Sequence, residues 1–155
     1  MALKGQRVTI EEDISLTCDV ASARGFMTVY STAGSGIALG DRAGICTISA
    51  TSSGYKPAGI LMNDVVDVDT TKYQLNVHKD ETLIDERVTL LRKGRITTNA
   101  LVSGQTPTAG DKAYLGATGK LTGSYVNDVA TPRVGTFVAA KDENGYVTAD
   151  INLPM

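Results

Sequence analysis

Apolar and polar residues alternate with a period of two along much of the chain, the pattern of a half-buried strand. In Tyr146–Leu153, Val147, Ala149, Ile151 and Leu153 share one parity, while Thr148, Asp150 and Asn152 share the other. Val134–Ala140 is apolar on both faces, and Asn144-Gly145 stands between these two runs. Asn-Gly supplies the positive φ that a tight turn requires, so 134–153 is predicted to be a terminal hairpin. Lys72–His78 alternates in the same way. Val65–Asp69, Val88–Leu91, Ile96–Thr98 and Lys112–Leu115 are shorter predicted strands. No long apolar stripe at helical spacing occurs, and only a short turn near Glu81–Glu86 is predicted to be helical.

Strands recurring between Gly, Pro and Asn turns predict an all-β fold, a small β-barrel or β-tulip of short antiparallel strands. A closed sheet also hides the edges that a Thr/Val-rich chain would otherwise expose. Val8–Leu16 reads as a strand in which Val8, Ile10, Ile14 and Leu16 keep one parity, broken by Glu12. Residues 21–36 are small and polar. The expected organisation is therefore an N-terminal arm or first strand plus flexible loop over 1–35, followed by a barrel body over 36–155. Within the body, Gly40-Asp41-Arg42-Ala43-Gly44-Ile45 resembles Gly110-Asp111-Lys112-Ala113-Tyr114-Leu115. Each is followed by a Gly-bearing apolar run, Pro57–Leu61 and Pro132–Phe137. An internal duplication of 36–80 and 104–153 is the expectation.

Composition narrows the chemistry. The chain has 155 residues, which suits one domain able to bury a core without metal or disulfide. A formal net charge of −2 gives no reason to expect nucleic acid or an anionic membrane as partner. No apolar run is long enough to span a bilayer, and the first residues lack the apolar core of a signal peptide. The expectation is synthesis in a reducing cytoplasm. There is one His (His78) and two Cys (Cys18, Cys46), too few soft ligands for a four-coordinate zinc site. Two buried free thiols are a more natural reading of the cysteines than a disulfide.

Each candidate for chemistry has a plainer reading beside it. His78 lies near Asp80 and Glu81, but the grouping reads as a solvated turn. Asp64, Asp67 and Asp69 are the weak candidates for a hard cation, without the spacing of a calcium loop. Gly34–Gly40 has neither the spacing nor the context of a phosphate loop. Arg92, Lys93 and Arg95 form the one basic cluster, read as a solvated strand end or half of an intersubunit ion pair. No catalytic constellation remains, and no enzyme activity and no cofactor are expected.

Three runs carry a family likeness: Gly110–Leu115, then Thr118-Gly119-Lys120-Leu121-Thr122, then Val134-Gly135-Thr136-Phe137-Val138 before the last alternating strand. Their order resembles the capsid decoration, or cement, proteins of tailed bacteriophages. The resemblance implies a non-enzymatic subunit on the outer face of an expanded head, often a homotrimer, bridging major capsid proteins and stabilising the shell. Leu3, Val8, Ile10, Arg92, Lys93 and Arg95 are the expected capsid or subunit contacts. Alternatives are another β-structural virion protein, tail-tube or fibre-associated, or a small barrel that binds a cation or sugar.

Overall fold

A computed structural model describes residues 3–5, 7–32, 44–67, 81–124 and 131–154. Twelve strands run in chain order: β1 (Val8–Asp13), β2 (Leu16–Cys18), β3 (Met27–Tyr30), β4 (Gly44–Thr47), β5 (Pro57–Leu61), β6 (Asp64–Val66), β7 (Glu81–Leu83), β8 (Leu90–Thr98), β9 (Lys112–Leu115), β10 (Leu121–Thr122), β11 (Arg133–Ala139) and β12 (Val147–Asn152). One 3₁₀ turn, Ala117–Gly119, precedes β10. The all-β class is as expected. Ten strands form one sheet along the path β10-β9-β11-β12-β8-β5-β3-β4-β2, with β1 joined to β8. Strands β6 and β7 form a separate parallel pair, and β2 also runs parallel to β4.

The hub is β8. Strand β12 pairs with Lys93–Thr98 and β5 with Leu90–Leu91, whereas β1 pairs along Leu90–Arg95. Because its register overlaps both of the others, β1 must lie along the opposite edge of β8. Sequence reading divided this strand at Arg92-Lys93-Gly94-Arg95. Those residues continue it instead, and Gly94 has no side chain for a reason: its φ is +153°, and a Cβ there would collide with the carbonyl oxygen of Val8.

The main core gathers side chains from distant parts of the chain. Met27 and Val29 of β3, Ile60 of β5 and Leu91 and Ile96 of β8 pack with Leu115, Leu121, Val134, Phe137, Val147, Ala149 and Ile151. A smaller cluster holds Leu16, Cys18, Cys46, Ala58, Leu61, Val65, Val88 and Leu90. The sheet is rolled rather than flat. A Cβ on Gly119 would lie 2.5 Å from the Met27 carbonyl oxygen, so the turn before β10 rests against β3 near the other end of the path. Among the described residues the path does not close through hydrogen-bonded pairing between β10 and β2.

The C-terminal hairpin forms as predicted, with β11 antiparallel to β12. Its turn differs in detail. Only Gly145 has positive φ, +83°. The Asp142 carboxylate accepts from the N–H groups of Asn144 and Tyr146, and the Gly145 N–H donates to the Asp142 carbonyl. This is a longer loop ending in a left-handed glycine, not a two-residue turn with both centres at positive φ.

Other expectations are corrected. Glu81–Leu83 is a strand, because pairing with Asp64–Val66 overrides a weak local preference for helix. Val65–Asp69 begins one residue earlier and ends at Val66, and Asp69 lies outside the described residues. Lys72–His78 and Gly34–Gly40 also lie outside them. Within the first segment, expected as an arm or first strand plus loop, Val8–Asp13 and Leu16–Cys18 are strands of the main sheet. The single strand predicted there is two, split where the Asp13 carboxylate accepts from both the N–H and the hydroxyl of Ser15. Strand β3, fully buried at Met27 and Val29, sits between β5 and β4. The proposed repeat is not mirrored in the pairing: β9 and β11 are neighbours, while β4 and β5 are separated by β3.

Candidate functional site

The candidate surface is β1. All six of its residues are exposed or half-buried, although alternation of this kind ordinarily marks a covered face. Val8 is 56% exposed, Ile10 66% and, just beyond the strand, Ile14 62%. These three are the most exposed large aliphatic side chains among the described residues. The reason is positional. Strand β1 pairs with β8 on one side, and among the described residues no strand pairs with its other side. Bulges flank Ile10 and Glu11, where the register slips between Thr9 and Glu11 and again between Glu11 and Glu12. These bulges and the Glu11-Glu12-Asp13 run blunt the far part of the edge, which leaves Val8–Ile10 as its open apolar part.

Electrostatics pin β1 at its far end. The Arg92 guanidinium lies 3.9 Å from the Glu11 carboxylate and 3.7 Å from that of Asp13. It also donates to the Tyr30 hydroxyl at 3.0 Å and to the Pro154 carbonyl at 2.7 Å. One cation thus ties β1 to β3 and to the C-terminal segment. Burial pushes the Asp13 carboxyl up, but the Ser15 hydrogen bonds and the Arg92 charge outweigh it and hold its pKa below the ordinary 3.8. At the near end, Leu3 bridges to Thr98 and the Lys4 N–H donates to the Thr97 carbonyl. The Lys4 ammonium sits 3.0 Å from Asp142 and 4.2 Å above the Tyr146 ring.

These contacts re-sort the residues singled out from sequence. Val8 and Ile10 are on the surface. Leu3 is 3% exposed and belongs to the core, so it is withdrawn as a surface contact. Arg92, Lys93 and Arg95 are not a solvated strand end: they lie inside the longest strand. Arg92 is largely sequestered by its partners, and Arg95 makes two hydrogen bonds, at 2.6 and 2.9 Å, to the cross-strand Asp150. Lys93 and Arg95 are both exposed, Arg95 with its charge paired to Asp150 on the surface. Asp64 accepts from the Arg24 N–H at 2.8 Å and faces its guanidinium at 3.7 Å, which accounts for that carboxylate within the fold. Among the described residues no cluster of three His, Cys, Asp or Glu is placed to hold a metal ion. Sequence reading missed Ile14 as a surface residue, although it has the parity of Val8 and Ile10.

A shallow recess of about 260 Å³ lies between Asn99–Gly104 and the hairpin turn at Lys141, Asn144 and Gly145. It falls below the usual size of a small-molecule pocket, and Lys141 is the one titratable residue lining it. Among the described residues no helix is long and apolar enough to cross a membrane.

The sequence profile of the XM1 gp53 minor capsid protein family matches residues 12–151, from within β1 to within β12. The chain belongs to that family. Membership of a minor capsid protein family gives it a structural role in the capsid of a bacteriophage and a place in the virion, in association with other capsid components. No curated protein matches the chain. The family match spans both core clusters apart from Leu3 and Leu153, while Val8 and Ile10 precede its first residue.

Proposed function

We propose that this minor capsid protein is a decoration protein, which binds the outer face of the expanded head, bridges neighbouring major capsid proteins and stabilises the shell. The observation that carries the reading is the unpaired edge of β1 with its exposed Val8 and Ile10, and Ile14 just beyond, among the described residues. An extended segment of the shell added to that edge would gain main-chain hydrogen bonds, with Val8, Ile10 and Ile14 supplying apolar contact. A ligand that binds only the mature shell stabilises it by RT ln(1 + [L]/Kd) per site. Self-association into a trimer, as the resemblance implies, would present three such edges, so that second and third contacts become effectively intramolecular.

The test is co-sedimentation with expanded heads that lack the protein, comparing the native chain with V8D/I10D. The native chain is expected to bind saturably to expanded heads and weakly to unexpanded ones. The double variant, with unchanged circular dichroism and melting temperature, is expected to lose binding. Failure of the native chain to bind would discard decoration in favour of another place in the virion. Undiminished binding by the folded variant would discard β1 as the contact.

A further inference from the structure

Strands β2 and β4 run parallel with Cys18 directly opposite Cys46. Both residues are fully buried and both thiols are free. The two side chains are within hydrogen-bonding reach of each other, and the Cys18 thiol also donates to the Val20 carbonyl at 3.4 Å. We propose that Cys18 and Cys46 are a site of reversible oxidation, closing to an intramolecular disulfide that staples β2, the last strand of the sheet path, to β4.

The placement explains both why the bond can form and why it is not needed for folding. In-register residues on adjacent strands are about 5 Å apart at Cα, inside the range a disulfide spans. The cluster around the pair, Leu16, Ala58, Leu61, Val65, Val88 and Leu90, already holds β2 in place when the thiols are reduced. The hydrogen bond to Cys46 helps Cys18 lose its proton. The same contact, with burial, pushes the Cys46 thiol up. Cys18 is carried by the three-residue β2, whose opening admits the oxidant, and it is therefore the sulfur that attacks first.

The chemistry is thiol–disulfide exchange with a small-molecule disulfide as oxidant. The Cys18 thiolate attacks one sulfur of the oxidant and expels the other half as a thiolate, giving a mixed disulfide. Cys46, deprotonated by solvent base as the strand opens, then attacks the Cys18 sulfur and expels the second half. The S–S bond of the oxidant is broken and one forms in the protein. Two electrons and two protons pass to the small molecule, which leaves as two thiols. Access comes through opening of β2, three residues that pair with β4 on one side and on the other are held by the Thr17–Arg87 bridge and by the Val88 and Asp85 N–H groups, which donate to the Leu16 and Cys18 carbonyls. Burial makes the reaction slow rather than forbidden. The staple closes a loop of roughly 30 residues, and chain-entropy reasoning gives a rise in melting temperature of about 10 °C for a chain this size.

The experiment incubates the folded, reduced protein with oxidised glutathione and follows intact mass, thiol titre after denaturation, and melting temperature. The expected result is loss of both thiols, a mass lower by about 2 Da, a monomer on a non-reducing gel and a higher melting temperature that dithiothreitol reverses. C18A and C46A, each checked for folding by circular dichroism, are expected to show no such rise. Two titratable thiols after days of exposure would overturn the proposal, provided that the urea-unfolded chain oxidises under the same conditions. Disulfide-linked dimers, stable glutathione adducts or an unchanged melting temperature of the oxidised monomer would also overturn it.

Discussion

Strands β1 and β12 flank β8 on opposite edges and overlap in register at Lys93–Arg95, yet they meet opposite environments. In β12 the alternating Val147, Ala149 and Ile151 are buried against Ile96 and Phe137. In β1, Val8 and Ile10 keep the same alternation and face solvent. The difference lies in the number of neighbours. Strand β12 has β11 on its far side and a core beneath it, while β1 has β8 alone among the described residues. Alternation therefore reports strand geometry, and burial is decided by whether a second element arrives to cover the face. A face left uncovered within the subunit is the one available for assembly.

Substitutions on the two sides of β8 should separate these roles. The largest effect is expected inside. Phe137→Ala removes a fully buried aromatic and should cost about 3–5 kcal/mol in urea unfolding, with Ile151→Ala at about 2–5 kcal/mol. A smaller loss from Phe137→Ala would mean that the sheet collapses into the space.

Gly94→Ala should come next, in a different way. The new methyl meets the Val8 carbonyl, so β1 is expected to lift from β8 while β12 stays paired. Hydrogen exchange would read this as lost protection at 8–13 with retained protection at 147–152. Equal loss on both sides would show that β1 and the body unfold together.

Arg92→Met should loosen the same strand more gently, by removing the cation that faces Glu11, Asp13, Tyr30 and Pro154. Acid should act likewise. The Asp13 carboxyl titrates below its unfolded value, so its contribution is present above about pH 4 and is lost as pH falls through the lowered folded value. Protection factors at 8–13, corrected for the intrinsic pH dependence of exchange, are then expected to fall as pH drops from about 4 toward about 2 in the native chain and to change less in Asp13→Asn. Smallest of all should be Ile10→Ser, within about 0.5 kcal/mol of the native stability. A destabilisation above 2 kcal/mol would show that Ile10 is covered within the free subunit.

What could be read from sequence follows the distance over which each feature is determined. The C-terminal hairpin was legible because its two strands and its Asp142–Tyr146 turn are contiguous, and the glycine that ends the turn is visible as a residue. The continuity of β8 was not, because Arg92, Lys93 and Arg95 look like a solvated break until their partners Glu11, Asp13 and Asp150, distant in sequence, are known. Strand β3 hides in a polar stretch, since Met-Thr-Val-Tyr has no clear parity and its burial comes from neighbours on both sides. In the candidate surface, Val8 and Ile10 were visible as apolar residues outside the presumed body. Leu3 had the same appearance, but its bridge to Thr98 carries it into the core. Nothing local distinguishes the two cases.

The central position of β8 also sets an order of events. Its partners at Val8–Asp13 are made some eighty residues before it, and its partners at Val147–Asn152 some fifty after. A chain growing from its N-terminus holds β1 and β5 without their common neighbour until Leu90–Thr98 has emerged, and cannot seat β12 until Val147–Asn152 has followed. Pairings of such long range place the protein among slow-folding topologies, in which apolar strands stay exposed for milliseconds to seconds. Because the same strand receives both β1 and β12, losing either one leaves an edge of β8 bare.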